Sequence, residues 1–216
     1  MAEKTVLVNK PIHTVALERL RQEVDVLTPF DAPYDELLRM LPDAHAVILC
    51  AGLNVGAVEM DRARRLEVIG RHGAGVDIVD IEAATQRGIP VTFTPYGPTE
   101  STAEHALMLM LAVARRLPQL DRAVRQGDFH IRDRVMGQEL EGKTLGIVGF
   151  GRIGRRLAEM CREGLHMPVY AFDPFVDAET TRECGATCVE DLIELAGKVD
   201  VLSVHSPLTE ETQHLI

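Results

Sequence analysis

The segment Gly149–Gly154 constrains the fold of this chain more than any other stretch of its sequence. It reads GFGRIG, with glycines at the first, third and last positions. The apolar run Thr144–Val148 precedes it and predicts a buried strand, while Arg155–Met160 predicts a helix. A second apolar run, Pro168–Phe172, leads directly to Asp173. Strand, glycine turn, helix, second strand and terminal acid in this order predict a βαβ unit that binds a dinucleotide.

Each position of this fingerprint has a distinct expected role. Gly149 permits the tight turn after the strand, Gly151 lets the backbone approach a pyrophosphate, and Gly154 lets the helix pack closely on the sheet. The N–H groups at the helix start then face the phosphates. Asp173 is expected to accept hydrogen bonds from the adenosine ribose and to repel a 2′-phosphate. That repulsion costs several kcal/mol, and about 1.4 kcal/mol is tenfold, so NAD should bind roughly a hundredfold or more better than NADP.

The composition argues against several classes of protein. A formal net charge of −10 argues against a nucleic-acid surface and against an anionic membrane surface. The longest apolar run, Ala106–Ala114, is far shorter than the roughly 20 residues that span a bilayer. The first residues lead straight into a predicted strand, so no secretory signal is expected. The four cysteines form no CxxC pair, which favours a reduced, cytoplasmic chain.

Strand and helix patterns alternate regularly through the first part of the chain. Such alternation predicts a parallel sheet with helices on both faces, and we expect a flavodoxin-like domain over residues 1–98. The predicted strands are Thr5–Val8, Val24–Leu27, Ala46–Leu49, Glu67–Gly70 and Pro90–Phe93, and the predicted helices are Val15–Arg21, Tyr34–Met40, Val55–Arg64 and Ile81–Arg87.

A long helix is expected to begin the second domain, which covers residues 99–216. Ser101 with Glu104 three residues later forms a capping-box pattern, which predicts a helix from Ser101 to about Gln126. Pro118 could introduce a kink in it. Its apolar middle, Leu107–Val113, is expected to be buried on more than one face, between two domains or between two subunits.

The rest of the second domain continues the alternation. Helices are predicted at Asp177–Cys184 and Glu190–Leu195, and a strand at Val199–Val204. That strand ends in the segment His205–Thr212. Because ligands of open α/β sheets lie at the carboxyl ends of the strands, this segment is expected to contact the cofactor.

Four segments resemble motifs of the D-isomer-specific 2-hydroxyacid dehydrogenases, the family that contains 3-phosphoglycerate dehydrogenase. They are residues 73–77 (GAGVD), residues 101–105 (STAEH), the Gly149–Gly154 fingerprint with Asp173, and residues 205–209 (HSPLT). The resemblance implies a substrate-binding domain over residues 1–98 and, over residues 99–216, an NAD-binding Rossmann domain with a long connecting helix, 101–126. It also implies NAD as cofactor and a small D-2-hydroxy or 2-keto acid as substrate.

The resemblance further implies roles for individual residues. The backbone of Gly73, Ala74 and Gly75 is expected to face the substrate carboxylate and the nicotinamide end of the cofactor. The residues expected to contact NAD are Thr102 near the nicotinamide, Gly149, Gly151, Arg152, Ile153 and Gly154 at the pyrophosphate, Asp173 at the adenosine ribose, His205, Ser206 and Pro207 around the adenine and adjoining ribose, and Thr212 near the phosphates.

The chain departs from the family pattern in two places. Residues Phe93–Pro98 stand where phosphoglycerate-specific members often carry Asn-rich turns, so phosphoglycerate, hydroxypyruvate and glyoxylate types of substrate all stay open. The family's substrate-binding Arg and its Glu–His proton pair are expected beyond Ile216, as is the helix that completes the first domain. We therefore expect no catalytic residue in this chain, an incomplete Rossmann domain with an exposed sheet edge, and weak stability or oligomerisation, with a homodimer built partly on the long helix.

Three histidines near these motifs leave their roles open. His72, beside the substrate loop, could pack in the structure or help to select the substrate. His205 is interpreted as part of the cofactor loop rather than as an acid or base. His105 has no metal-ligand partner at helical spacing, and no metal site is predicted.

Two alternatives to a dehydrogenase remain open. The first is an NAD-binding module or sensor without turnover. The second is a Rossmann enzyme of another class, such as a methyltransferase, which would share the acid after the second strand. Gly154 and the segments 73–77 and 205–209 favour NAD over such a nucleoside cofactor.

Overall fold

The computed structural model describes residues 4–216 and divides the chain into two compact units, one ending at Pro98 and the other spanning Thr99–Ile216. Each unit is built on a sheet of parallel strands. Within the described residues, no helix combines the length and the apolar composition that crossing a bilayer requires.

The first unit has the strand order β2-β1-β3-β4-β5, which is the flavodoxin-like order. The predicted fold class is therefore confirmed for this unit, and its helices and strands begin and end within two residues of the predicted bounds. The strands are β1 Thr5–Val8, β2 Asp25–Leu27, β3 Ala46–Leu49, β4 Val68–Arg71 and β5 Val91–Phe93, and the helices are α1 Thr14–Glu23, α2 Tyr34–Met40, α3 Ala57–Arg62 and α4 Ile81–Gln86, with a 3₁₀ turn at Leu41–Asp43.

Helices cover both faces of this sheet, which explains its near-continuous aliphatic strands. On one face, α2, α3 and α4 contribute Leu37, Met60 and Ala83 to a single buried cluster with the strands. On the other face, α1 packs Leu17 against Val8. Lys10, Cys50 and His72 lie in the loops that follow the carboxyl ends of β1, β3 and β4.

The second unit is a Rossmann-type sheet in the order β8-β7-β6-β9. The short strand β8 was not predicted from the sequence, and β9 lies at the edge of the sheet, as expected. The elements are α5 Thr99–Ala114, α6 Leu117–Arg125, β6 Leu145–Val148, α7 Arg152–Leu165, β7 Val169–Phe172, α8 Ala178–Glu183, β8 Thr187–Cys188, α9 Leu192–Lys198 and β9 Val201–Val204, with a 3₁₀ helix at Phe129–Asp133.

The single helix predicted over 101–126 is wrong, because the structure has two helices there. Ser101 lies inside α5, so it does not cap the helix. The chain turns at Arg116, which has a left-handed φ of 55°. In a continuous helix the ring of Pro118 would clash with the carbonyl of Ala114, four residues earlier. Instead α5 ends at Ala114, whose carbonyl accepts from the backbone N–H of Gln138 at 2.8 Å.

One face of helix α5 packs against the core of the second unit, and burial of a further face, between two domains or between two subunits, stays a prediction. Ala103 is fully buried, and Leu107 and Met110 pack against the core of the second unit. On its other side Leu109 is 50% exposed and Val113 is 73% exposed. A large apolar face of α5 therefore remains uncovered in this unit.

Candidate functional site

The fingerprint turn joins β6 to α7, and its first glycine is required for two reasons. Gly149 has a φ of +90°, a conformation that side chains with a Cβ rarely adopt. A Cβ there would also lie 2.5 Å from the backbone nitrogen of Ser206. The turn therefore packs directly against the loop that follows β9. Gly149 permits this contact in addition to the tight turn that was predicted for it.

The other two glycines differ sharply in their surroundings. A Cβ on Gly154 would lie 2.4 Å from the carbonyl oxygen of Gly149 and 3.0 Å from Cγ2 of Ile147, so this glycine permits the close helix–strand packing that was predicted. A Cβ on Gly151 would meet no atom within 4 Å. The space over Gly151 is open to a ligand that approaches the backbone.

The start of α7 faces that open space. Gly151 is its N-cap, and no side chain caps the helix. The first N–H groups of a helix have no partner within the helix and carry partial positive charge, so they suit a phosphate. Ile153, in the first turn of α7, is half-buried and packs against the core of the second unit.

The arginines of α7 are engaged in protein contacts to different degrees. Arg155 donates from Nε to the carbonyl of Phe150 at 2.8 Å, and its guanidinium lies 5.7 Å from the centre of the Phe150 ring. Arg156 bridges Glu100 on α5 and Glu159 on its own helix. Arg152, in the turn itself, has an exposed side chain. Arg155 and Arg156 thus have structural roles, and Arg152 is the first residue of α7, at the helix start.

Asp173 stands at the carboxyl end of β7 and closes the same site. Its carboxylate accepts from the backbone N–H of Phe150 at 2.7 Å and from that of Phe175 at 2.9 Å. A carboxylate has about four acceptor positions, so these two bonds leave capacity for ribose hydroxyls. Sequence reasoning did not foresee that Asp173 also holds the glycine turn.

The loop after β9 completes the second unit's polar edge. The backbone N–H of His205 donates to the carbonyl of Val148 at 2.7 Å, and its Nε2 lies 2.9 Å from Oγ of Ser203. Burial lowers the pKa of His205, so the ring is neutral near pH 7. Thr212 donates from Oγ1 to the carbonyl of Pro207 at 2.5 Å and accepts from the N–H of Thr209 at 2.8 Å. The hydroxyl of Thr212 therefore shapes this loop.

Thr102 lines the same groove as His205. The groove, about 630 Å³, runs between α5 and β9. The resemblance to the family implies that Thr102 contacts the cofactor. The structure places it in one groove with His205, another residue expected to contact the cofactor.

In the first unit, the loop Gly73–Gly75 follows β4. Gly73 has a φ of +151°, and its N–H donates to Oγ1 of Thr94 at 2.9 Å. Sequence reasoning missed Arg71, whose Nε donates to the carbonyl of Gly75 at 2.8 Å and whose Nη1 donates to that of Leu49 at 3.3 Å. Its position at the end of a strand, directly before a glycine loop, was the signal that could have identified it. The guanidinium of Arg71 therefore lies against the backbone of this loop.

Comparison with known proteins agrees with this geometry. The family model for the NAD binding domain of D-isomer specific 2-hydroxyacid dehydrogenases matches residues 107–216. The D-3-phosphoglycerate dehydrogenase of Archaeoglobus fulgidus is 45% identical over 214 residues, which cover 98% of this chain and 40% of that protein. The chain spans about 40% of the length of such curated relatives.

Solved structures give the same assignment. The TT0316 protein from Thermus thermophilus superposes with a TM-score of 0.86 at 38% identity, covering 98% of this chain and 67% of that one. The holo form of D-mandelate dehydrogenase from Rhodotorula graminis superposes with a TM-score of 0.80 at 28% identity, covering 100% and 69%. Two α/β units, the second with a dinucleotide fingerprint, define a Rossmann-type protein. The chain belongs to the family of D-isomer specific 2-hydroxyacid dehydrogenases, whose cofactor is NAD.

Proposed function

We propose that this chain provides the NAD site and part of the substrate site of an NAD-dependent oxidoreductase. The enzyme would transfer a hydride between NAD(H) and a small D-2-hydroxy or 2-keto acid of the phosphoglycerate, hydroxypyruvate or glyoxylate type. The observation that carries the proposal is the fingerprint turn. Gly151 is open to solvent, Gly154 is tightly packed, and Asp173 closes the turn within a unit that matches the family's NAD binding domain.

The residues of the second unit would hold the cofactor. The start of α7 suits the pyrophosphate, and the charge of Asp173 suits an unphosphorylated ribose. Bound NADH would supply the hydride, and the chain's own residues would position it and exclude the 2′-phosphate of NADP. The proposed contacts are Thr102, Gly149, Gly151, Arg152, Ile153, Gly154, Asp173, His205, Ser206, Pro207 and Thr212.

The first unit would hold the substrate carboxylate through the backbone of Gly73, Ala74 and Gly75. Arg71 supports this assignment, because its guanidinium donates a hydrogen bond to the carbonyl of Gly75 and places a positive charge beside the loop. We assign no residue of this chain to proton transfer. The lowered pKa of His205, which burial produces, suits a neutral loop residue that stays uncharged while the cofactor binds.

We also propose a homodimer that works in the cytoplasm. The uncovered apolar face of α5, with Val113 73% exposed, supports association with a second copy. The four cysteines are all free, which supports a reducing compartment.

The experiment that tests the proposal is a binding titration of the purified chain with NADH, NADPH and S-adenosylmethionine. NADH is expected to bind roughly a hundredfold more tightly than NADPH, and S-adenosylmethionine should not compete. Equal binding of the two dinucleotides, or preferential binding of S-adenosylmethionine, would contradict the assignment. The protein isolated from its native source is then tested for NADH consumption with glyoxylate, hydroxypyruvate and related 2-keto acids. Binding of NADH without consumption of any of them would identify an NAD-binding module instead.

A further inference from the structure

The carboxyl ends of three neighbouring strands bring a second group of reactive side chains together in the first unit. The order β2-β1-β3-β4-β5 reverses between β1 and β3, and open parallel sheets bind ligands at such a switch point. Lys10 lies just after β1 and Cys50 directly after β3. Arg71 ends β4, and His72 follows it, with its N–H donating to the carbonyl of Leu49 at 2.8 Å. The group therefore borders the Gly73–Gly75 loop.

Cys50 and His72 are in direct side-chain contact. The Sγ of Cys50 lies 3.6 Å from Nδ1 of His72. In the tautomer in which the Cys50 thiol donates to Nδ1, the other ring nitrogen, Nε2, carries the hydrogen and can donate on the far side of the ring. The ring is exposed, which argues against the packing role that the sequence left open for His72.

Cys50 is itself held rigidly. Its N–H donates to Oδ1 of Asn9 at 2.9 Å, and Nδ2 of the same Asn9 donates to the carbonyl of Ala51 at 2.8 Å. Asn9 is fully buried. The thiol therefore sits on a fixed support and can hold the imidazole in one orientation.

Two cations, Lys10 and Arg71, lie near the pair. Cε of Lys10 lies 3.6 Å from the position that a Cβ would take on Gly52, two residues after Cys50, and Arg71 directly precedes His72. Burial raises the pKa of the Cys50 thiol, and the charges of Arg71 and Lys10 lower it. Arg71 donates to backbone carbonyls, and Nζ of Lys10 lies 3.5 Å from the carbonyl of Phe30. Within residues 4–216, neither cation forms an ion pair with a carboxylate. Two cations without an acidic partner beside an exposed imidazole favour an anionic ligand.

We propose that His72, oriented by Cys50, is a specificity-determining residue of the substrate site. With Lys10 and Arg71 it binds an anionic group, a carboxylate or a phosphate, at the end of the substrate remote from the carboxylate held by the glycine loop. Cys50 is a positioning residue that acts through His72. This inference rests on the proposed function, because it places the substrate carboxylate at Gly73–Gly75.

The test is a calorimetric titration of the chain with two pairs of compounds that differ in one anionic group. D-3-phosphoglycerate is compared with D-glycerate, and D-malate with D-lactate. Hydrogen bonds to a charged acceptor are about twice as strong as neutral ones, so in at least one pair we expect the compound with the additional anionic group to bind about tenfold more tightly. The pair with the larger ratio identifies the anion as phosphate or carboxylate.

Three variants and a control locate the effect. His72→Phe keeps a ring but removes both nitrogens and should abolish the preference, whereas His72→Gln keeps an N–H donor and should retain part of it. Cys50→Ser keeps a donor for Nδ1 and should retain the preference that Cys50→Ala reduces. His130→Asn, which changes an exposed histidine of the second unit, should leave it unchanged. Circular dichroism checks that each variant is folded.

The outcomes separate this inference from the proposed function, because NADH binding is measured on the same samples. The inference is overturned if neither D-3-phosphoglycerate nor D-malate is preferred over its partner compound, if no compound binds, or if folded His72→Phe keeps the preference while NADH still binds. If NADH does not bind but the preference depends on His72, the anion site stands and the dehydrogenase assignment fails.

Discussion

Replacing Gly151 by alanine should separate cofactor binding from folding. Gly151 has a φ of −76° and a ψ of −161°, which alanine can adopt, and its Cβ would meet no protein atom within 4 Å. An alanine at this N-cap costs about 0.5–1 kcal/mol, and the lower entropy of the unfolded chain offsets about 0.4–1 kcal/mol. The free energy of unfolding should therefore change by less than about 0.6 kcal/mol.

The same methyl group occupies the space that the pyrophosphate is expected to approach. By analogy with overpacking of a tight site, its steric cost is about 1–3 kcal/mol, or roughly a 5- to 150-fold loss of NADH affinity. The assay is an NADH fluorescence titration combined with urea unfolding of the same preparation. If Gly151→Ala binds NADH as tightly as the parent chain, the turn is not the pyrophosphate site and the geometric argument fails.

Two further glycine-to-alanine changes serve as matched controls. Gly154→Ala would place its methyl 2.4 Å from a backbone oxygen, so we expect a net loss of about 1–2 kcal/mol in the free energy of unfolding after the helix-propensity gain. Gly164→Ala, also in α7, meets nothing within 4 Å and should stabilise the chain by up to about 1 kcal/mol without affecting NADH. An equal response of all three variants would show that the effects do not depend on the surroundings of each glycine.

Three other predictions follow from single residues. Asp173→Asn keeps an acceptor for the turn but removes the charge, so the ratio of NADH to NADPH affinity should fall at least about tenfold in parallel titrations. Burial raises the pKa of Cys161 from 9.0 to about 11, so the native chain should resist iodoacetamide at pH 8 while the urea-unfolded chain reacts. Because the pKa of this thiol is higher in the folded chain than in the unfolded chain, its contribution to the free energy of unfolding is complete below pH 9 and is lost as the pH rises towards 11. Val113→Asp should dissociate the proposed homodimer without unfolding it, as measured by light scattering, and an unchanged mass would exclude this face of α5 from the contact.

The alternation of short apolar runs with amphipathic segments was sufficient to predict the parallel sheets. Buried parallel strands are apolar on both faces, and each predicted helix carries its own stripe of aliphatic residues, so the signal is strong in both elements. The need for glycine at two of these positions was also predictable, because the positive φ of Gly149 and the close approach of Gly154 to the carbonyl of Gly149 both arise within the turn itself.

The errors arose where local patterns compete with each other. Ser101 and Glu104 satisfy a capping box, yet the helix begins earlier, at Thr99, directly after Pro98, a residue well suited to a helix start. Pro118 indicated a kink in the predicted helix. Only the structure shows that the carbonyl of Ala114 accepts a hydrogen bond from the N–H of Gln138, which allows the helix to end at Ala114. The contact of Cys50 with His72 joins residues that follow two different strands, 22 positions apart, so no short sequence window contains it.

The fingerprint turn is held from both sides by the loops of its neighbouring strands, and this argues that it is formed before the cofactor arrives. Asp173 after β7 accepts from the N–H of Phe150, while the backbone at Ser206 after β9 packs against Gly149. A site that is already ordered does not lose that ordering entropy on binding, which favours affinity. The loop after β9 therefore influences NAD binding through the turn as well as through any contact of its own. Substitutions that shift the backbone at Ser206 should weaken NADH binding even where the side chain itself does not reach the cofactor.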